Sequence, residues 1–339
     1  MRTAVISRVN RRIQTEGEIS FPAAPTLLGV YLERLTRMFA SMGKELSQDE
    51  LAHLESVLAP RLEEGFRDSA HARVHVKWAS EPSPGVGIDY RIWLVTGTLA
   101  AQYEQWASSK EKALFGRNAD AKVLSVARAL GKPANHRVLD LGAGTGRNAL
   151  PLARAGHPTD ALELTEGFCT ELEELAQSEN LPVAVIRGNA LDPDVCVEGD
   201  YSLVVCSEVA SHFRSSLELR TLFERAVHWL RTDGLLLVSV FVPVDGYEPD
   251  QLAREVAQIA WSTVFTRAEL DDAKRELPLS LLSDEPVYGY EKEHQPAAGW
   301  PPTAWFEDWS RGFNGYGVES GLPPMELRWL VYRKLAEGQ

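Results

Sequence analysis

Apolar positions recur at helical spacing twice in the first third of the chain. Leu28, Tyr31, Leu32, Leu35 and Phe39 make one stripe, closed by Gly43. Ser47 and Glu50 then form a capping-box pair, which predicts a second helix with Leu51, Leu54, Leu58 and Leu62 on its apolar face. The period next drops to two. Val74, Val76 and Trp78 alternate with Arg73, His75 and Lys77, and Tyr90, Ile92 and Leu94 alternate beyond a Pro/Gly-rich turn at 81–87. This is the pattern of a β-hairpin. Residues 1–25 show neither period and read as irregular, ending at Pro22 and Pro25. Two more helices follow, one holding Tyr103 and Trp106, the other Val123, Leu124, Val126, Ala127 and Leu130. Gly131 and Pro133 stop the second.

From residue 137 the rhythm is strand, helix, strand, helix. Unbroken apolar runs at 138–141, 182–186, 203–206 and 235–241 suit parallel strands buried on both faces. Helical stretches between them predict an α/β sheet with right-handed crossovers. The division expected is a helical and β-hairpin cap over residues 1–130 and an α/β domain over 131–339, docked without a flexible linker.

Composition narrows the class. The chain of 339 residues is 44% apolar and 24% charged, the balance of a soluble globular protein. A net charge of −13 argues against nucleic acid as a partner. Arg2, Arg8, Arg11 and Arg12 are too spread to reverse that. Three cysteines (Cys169, Cys196 and Cys206) with no CxxC pair imply a reducing compartment. His71 and His75 lie in a strand pattern with no third ligand nearby, so no metal is expected. No apolar run reaches the ~18 residues of a membrane span, and no apolar segment follows the N-terminal arginines. A cytoplasmic protein, monomeric or homodimeric, is the expectation.

The strongest chemical signal is Val138-Leu-Asp-Leu-Gly-Ala-Gly-Thr-Gly-Arg147. A strand ends in an acid and a glycine turn that opens a helix, where free N–H groups can meet a ligand. Dinucleotide sites prefer G-x-G-x-x-G. Here the spacing is G-x-G-x-G, and Arg147 stands where the last glycine of that motif would fall, which disfavours a nicotinamide-dependent oxidoreductase. Glu163, about twenty residues on at the end of the next strand, suits the hydroxyls of a ribose.

Together with Glu163-Leu164, Gly188-Asn-Ala-Leu191, Asp200-Tyr-Ser-Leu-Val-Val-Cys-Ser-Glu208 and Leu230-Arg-Thr-Asp-Gly-Leu-Leu-Leu-Val238, this order resembles the class I S-adenosylmethionine-dependent methyltransferases. The resemblance is close over about 135–241, looser over 262–335, and absent from 1–130. It implies a Rossmann-like seven-stranded sheet of order 3-2-1-4-5-7-6, with S-adenosylmethionine as cofactor. Asp140 would orient the methionine amine, and Gly142, Ala143 and Gly144 would pack on the cofactor. Glu163 would hold the ribose, and Leu164, Asn189 and Ala190 would meet the adenine. Ser207 and Glu208 would face the methionine part and the substrate. Asn189 stands where the family usually has Asp. Pro151 should kink the first helix.

Topology then points to the acceptor side. Strand six is expected near Leu281–Tyr290 and strand seven at Met325–Leu335, so insertions at 242–262 and 291–324 leave from the cofactor side of the sheet. The second insertion holds Trp300, Trp305, Phe306, Trp309, Phe313 and Tyr316. Those rings read equally as core or as a substrate lid. Tyr290, His294, Trp300 and Trp305 are the candidate acceptor contacts. The excess of acids over bases between Asp284 and Trp309 favours a cationic or nitrogen-containing acceptor. His212, just past strand four, is a candidate general base, with Glu208 beside it. The expected function is methyl transfer to a nitrogen or oxygen of a small molecule. A protein or peptide acceptor, or a methyltransferase-like binding protein without activity, stays open.

Overall fold

The structure is a computed structural model that describes residues 15–80, 88–108, 116, 118–313 and 323–336. The N-terminal arginines, the 81–87 turn and Tyr316 lie outside the described residues. The chain divides into two compact units, Met1–Leu99 and Ala100–Gln339. The helices holding Tyr103 and Val123 therefore group with the α/β sheet, thirty residues earlier than the boundary expected at 130.

In the first unit, helices α1 (Leu28–Ser41) and α2 (Gln48–Asp68) pack on a three-stranded antiparallel sheet of β1 (Glu16–Pro22), β2 (Arg73–Ser80) and β3 (Ile88–Val95), in that order. The capping box at α2 forms, with Ser47 Oγ accepting from the Glu50 N–H and Glu50 accepting from the Ser47 N–H. Leu35, Phe39, Leu54, Leu58, Leu62, Val74 and Val76 are fully buried between the layers. The expectation of irregular chain up to residue 25 is corrected here. Residues 16–22 add a strand, with Ile19 opposite Val76 and Phe21 opposite Val74. Only two apolar residues alternate in that stretch. Its place comes from pairing with β2, which periodicity within the stretch does not reveal.

The second unit begins with α3 (Leu99–Ser108) and α4 (Ala121–Ala129). Its sheet contains β4 (Val138–Leu141), β5 (Thr159–Glu163), β6 (Val183–Arg187), β7 (Tyr201–Cys206), β8 (Leu230–Pro243), β9 (Leu279–Pro286) and β10 (Met325–Lys334). Their order is β6-β5-β4-β7-β8-β10-β9, and β10 alone runs antiparallel to its neighbours. Counted along the sheet this is the expected 3-2-1-4-5-7-6. Every residue of β4, β5 and β7 is buried. Leu139, Val204 and Leu236 enter one apolar cluster, whereas Val138, Leu203, Val205 and Leu237 enter the other. Alternate side chains of central strands thus reach opposite layers, which explains their unbroken apolar runs.

Two local expectations change. The ninth strand ends at Pro286, and Val287–His294 is helix α10 rather than more strand. Pro286 has no N–H to continue the ladder and stands as N-cap of that helix. Pro151 produces no interior kink. Helix α5 (Ala149–Arg154) starts only at Ala149, so the proline sits in its first turn, where its missing N–H would have had no intrahelical partner.

Candidate functional site

The site is assembled at the carboxyl ends of β4, β5 and β7. At the end of β4 the chain turns through Gly142, Gly144 and Gly146, all at positive φ. A Cβ at Gly142 would stand 2.4 Å from a Val209 methyl, and one at Gly146 would stand 2.4 Å from a Leu172 methyl. These two positions therefore admit only glycine, on both conformational and steric grounds. The turn is pinned to the neighbouring strand, because the Gly142 and Ala143 N–H groups both donate to the Leu162 carbonyl at 2.7 and 3.2 Å.

Glu163 closes β5 and is buried. One carboxylate oxygen accepts from the Gly144 N–H and the other from the Thr165 N–H, each at 2.8 Å. Each oxygen keeps a second lone pair for a ligand. Asp140, one residue before the end of β4, is 2% exposed, and its Oδ2 has no hydrogen-bond partner among the described residues. Burial pushes the Asp140 carboxyl up to about 7. The Asp120 carboxylate adds to that push and Arg147 opposes it.

Behind the turn lies a buried polar network. Asp120, at the head of α4, accepts from Arg147 at 3.0 Å, from Asn148 Nδ2 at 2.9 Å and from Ser207 Oγ at 2.7 Å. Arg147 also reaches Glu208 at 2.7 Å. Burial works against the guanidinium charge, but Asp120 and Glu208 outweigh it and raise the Arg147 pKa. Burial raises the Glu208 pKa, with Arg147 opposing. Glu208 itself has φ +61°, an uncommon conformation for a side-chain-bearing residue, and its N–H donates to Ser239 Oγ at 2.7 Å.

On the open side stands a group of rings. Tyr103 OH lies 2.9 Å from His212 Nε2. Trp261 meets Tyr103 and His212 edge-on, at 5.5 and 5.0 Å between centroids, and stacks on Trp106 at 4.7 Å. Burial raises the Tyr103 pKa, and the Glu163 and Glu208 carboxylates raise it further, so the phenol stays protonated. Helix α3 is also tied to the far side of the glycine turn. Glu104 accepts from the Glu166 and Gly167 N–H groups at 2.6 and 3.4 Å, capping helix α6 (Glu166–Ser178).

The family model for methyltransferase domains matches residues 138–234, from the first residue of β4 into β8. A provisionally named methyltransferase of Geobacillus sp. (strain WCH70) is 25% identical over 140 residues, covering 41% of this chain and 51% of the relative. The chain thus spans about half the length of the curated relative it matches. Among solved structures, a provisionally named sarcosine dimethylglycine methyltransferase from Galdieria sulphuraria is 17% identical, with TM-score 0.49, covering 69% of this chain and 97% of its own. A geranyl diphosphate C-methyltransferase from Streptomyces coelicolor A3(2) is 14% identical, with TM-score 0.48, covering 70% and 83%.

Within the matched segment, Asp140, Gly142, Ala143, Gly144 and Glu163 come together around the turn. Leu164 is half-buried beside Glu163. Asn189 is exposed past the end of β6, its side-chain oxygen accepting from the Leu191 N–H at 2.9 Å and leaving the amide NH2 to donate. Ala190 packs on the core. Ser207 and Glu208 lie in the buried network, and His212 lies in the ring group. Each of the four candidate acceptor contacts has partners of its own outside that group. Trp300 and Trp305 pack against the apolar cluster that contains Phe306 and Trp309. Tyr290 stacks on exposed His294 at 4.2 Å, and the Lys122 ammonium lies over the Tyr290 ring, 4.6 Å from its centre.

Sequence reasoning missed Asp120, Tyr103, Trp106 and Trp261. Asp120 carried a helix N-cap signal and nothing more. Trp261 had a subtler one. The end of helix α8 (Gln251–Ile259) has Schellman geometry, with Ser262 N–H donating to Ala257 O at 2.9 Å and Trp261 N–H to Gln258 O at 3.2 Å. Trp261 itself is left-handed, at φ +60°, where glycine is the usual occupant. Among the described residues, no group of His, Cys, Asp and Glu could hold a metal ion, and no helix is long and apolar enough to cross a membrane.

Proposed function

We propose that the chain is an S-adenosylmethionine-dependent methyltransferase acting on a nitrogen or oxygen nucleophile of a small molecule. The observation that carries this is the pairing of a glycine-rich turn with two buried carboxylates, one of which, Asp140, has an oxygen with no partner among the described residues. A buried carboxylate oxygen without a donor is costly, and a ligand ammonium would satisfy it. S-Adenosylmethionine brings an ammonium, a ribose and a sulfonium-activated methyl group, so the residues present fit it.

Asp140 would hold the amine, directly or through water. The backbone of Gly142, Ala143 and Gly144 would lie against the cofactor. Glu163 would use its two remaining lone pairs on the ribose hydroxyls. Leu164, Ala190 and the Asn189 amide would meet the adenine. Ser207 and Glu208 would flank the methionine part, with Glu208 held in place by Arg147. His212, steadied by Tyr103, would take the proton displaced from the acceptor. An activated sulfonium needs little further chemical help, so placing the acceptor in line with the methyl group supplies much of the rate.

Calorimetry of the full chain with S-adenosylhomocysteine is the test. Binding, followed by methyl transfer in a metabolite screen, is the expected result. Failure of the wild type to bind the product would sink the reading.

A further inference from the structure

The acceptor side of this site has an unusual composition, and it is not the one suggested by the tryptophans at 300–309. Tyr103, Trp106, Trp261 and His212 form one contiguous group of rings. His212 follows directly from the carboxyl end of β7, and Phe168, 6.1 Å from Tyr103, follows from that of β5. The rings therefore stand over the glycine turn. The Tyr103 phenol feels both the Glu163 and Glu208 carboxylates. It thus lies near both the residue expected at the ribose and the residue expected at the methionine part.

Charge at this place is negative. Glu163, Glu208 and Asp120 are carboxylates, Asp140 is poised near neutrality, and Arg147 already serves two of them. Arg214, the next cation along the chain, has the Glu218 carboxylate as its electrostatic partner, and that carboxylate also accepts the Arg214 N–H at 2.5 Å. Electron-rich ring faces beside carboxylates that outnumber the one arginine serving them favour a cation over a neutral or anionic guest.

Trp261 strengthens the point. A bulky residue in the left-handed region carries a conformational cost that glycine would avoid. Its carbonyl is held by the Trp309 indole N–H at 2.9 Å, which fixes the strained turn and aims the Trp261 ring at Tyr103 and His212. Strain of this kind persists where the side chain is needed.

From this geometry we propose that the methyl acceptor is an amine, bound as its ammonium form against the faces of Tyr103, Trp106 and Trp261. The inference rests on the methyltransferase reading of the same site. Before transfer the ammonium proton passes to His212 and on to solvent. The nitrogen lone pair then forms the N–CH3 bond as the S–CH3 bond breaks, and sulfur keeps that electron pair as a neutral thioether.

The test uses the full chain saturated with S-adenosylhomocysteine and two probes of nearly equal shape. Choline carries a quaternary ammonium, and 3,3-dimethylbutan-1-ol replaces it with an uncharged tert-butyl group. Tryptophan fluorescence or calorimetry should show choline binding about tenfold or more tighter than the alcohol. Trp261→Gly removes the ring while relieving the left-handed backbone. It should erase that preference and leave S-adenosylhomocysteine affinity within about twofold. If that variant does not fold, Trp106→Leu serves in its place. Binding of the homocysteine product with no preference for choline overturns the amine inference and spares the methyltransferase reading. Absence of product binding removes the reading itself.

Discussion

The Gly144 N–H donates to a Glu163 carboxylate oxygen at 2.8 Å, so the acid expected at the ribose also fixes the turn expected at the cofactor. Two roles converge on one side chain. Glu163→Ala should therefore weaken S-adenosylhomocysteine binding by roughly tenfold or more, the loss of charge-assisted hydrogen bonds worth about 1.5–3 kcal/mol. It should also lower the melting temperature, because the Gly144 and Thr165 N–H groups lose their acceptor. Glu163→Gln, which keeps an acceptor oxygen, should recover part of both. Calorimetry and a thermal melt on the three proteins decide it. Unchanged affinity in the alanine variant would remove Glu163 from the site.

Asp140 makes cofactor binding pH-dependent. Its folded-state pKa of about 7 lies above the ordinary 3.8. The protonated form is favoured by the fold, so its contribution to stability is fully present below about pH 4 and is lost as pH rises toward 7. A bound ammonium reverses the preference and favours the carboxylate. Binding near pH 6 should then release a proton, and affinity should rise between about pH 6 and 8. Calorimetric heats measured at pH 6.5 in buffers of different ionisation enthalpy report that proton directly. Asp140→Asn should flatten the dependence.

Arg147 sits between two buried carboxylates. Its replacement by methionine strands Asp120 and Glu208 without their shared counter-charge, which should cost about 3–5 kcal/mol of stability by urea unfolding. Adding Glu208→Gln to that variant should restore part of the loss, since one stranded charge is then gone. If the single and double variants are equally unstable, the network does not act as a unit.

Trp305→Ala separates core from pocket. The ring packs against the cluster of Phe306 and Trp309 on the sheet. Its loss should cost about 1–3 kcal/mol and leave S-adenosylhomocysteine affinity within about twofold. Loss of amine binding at unchanged stability would instead return the 291–313 segment to the acceptor site.

Much of the seven-stranded sheet was legible because buried parallel strands carry their own signature. Leu203 to Cys206 is apolar without interruption because both its faces are covered, and no other short pattern reads the same way beside a glycine turn. The residues of the turn were legible for a related reason, since Gly142 and Gly146 answer to local sterics. The ring group was not legible. Tyr103, His212 and Trp261 are far apart in sequence, and nothing in the spacing around any one of them announces the other two. The 300–309 tryptophans were ambiguous for the converse reason. Aromatic content is as useful for covering a sheet as for lining a pocket, and only packing tells which. The strand at 16–22 escaped because an edge strand with two apolar residues depends on its partner for its register.

Helix α6 has no side-chain cap from its own N-cap residue, Thr165. Its first free N–H groups are met instead by Glu104, sixty residues upstream, and the adjacent Tyr103 holds His212 on the other side of the turn. Consecutive residues of α3 thus form a crossbar between the ends of β5 and β7. The matched segment 138–234 is consequently not a self-contained module. A fragment beginning at residue 131 would keep every glycine and acid of the motif, yet lose the brace that keeps its two halves in register.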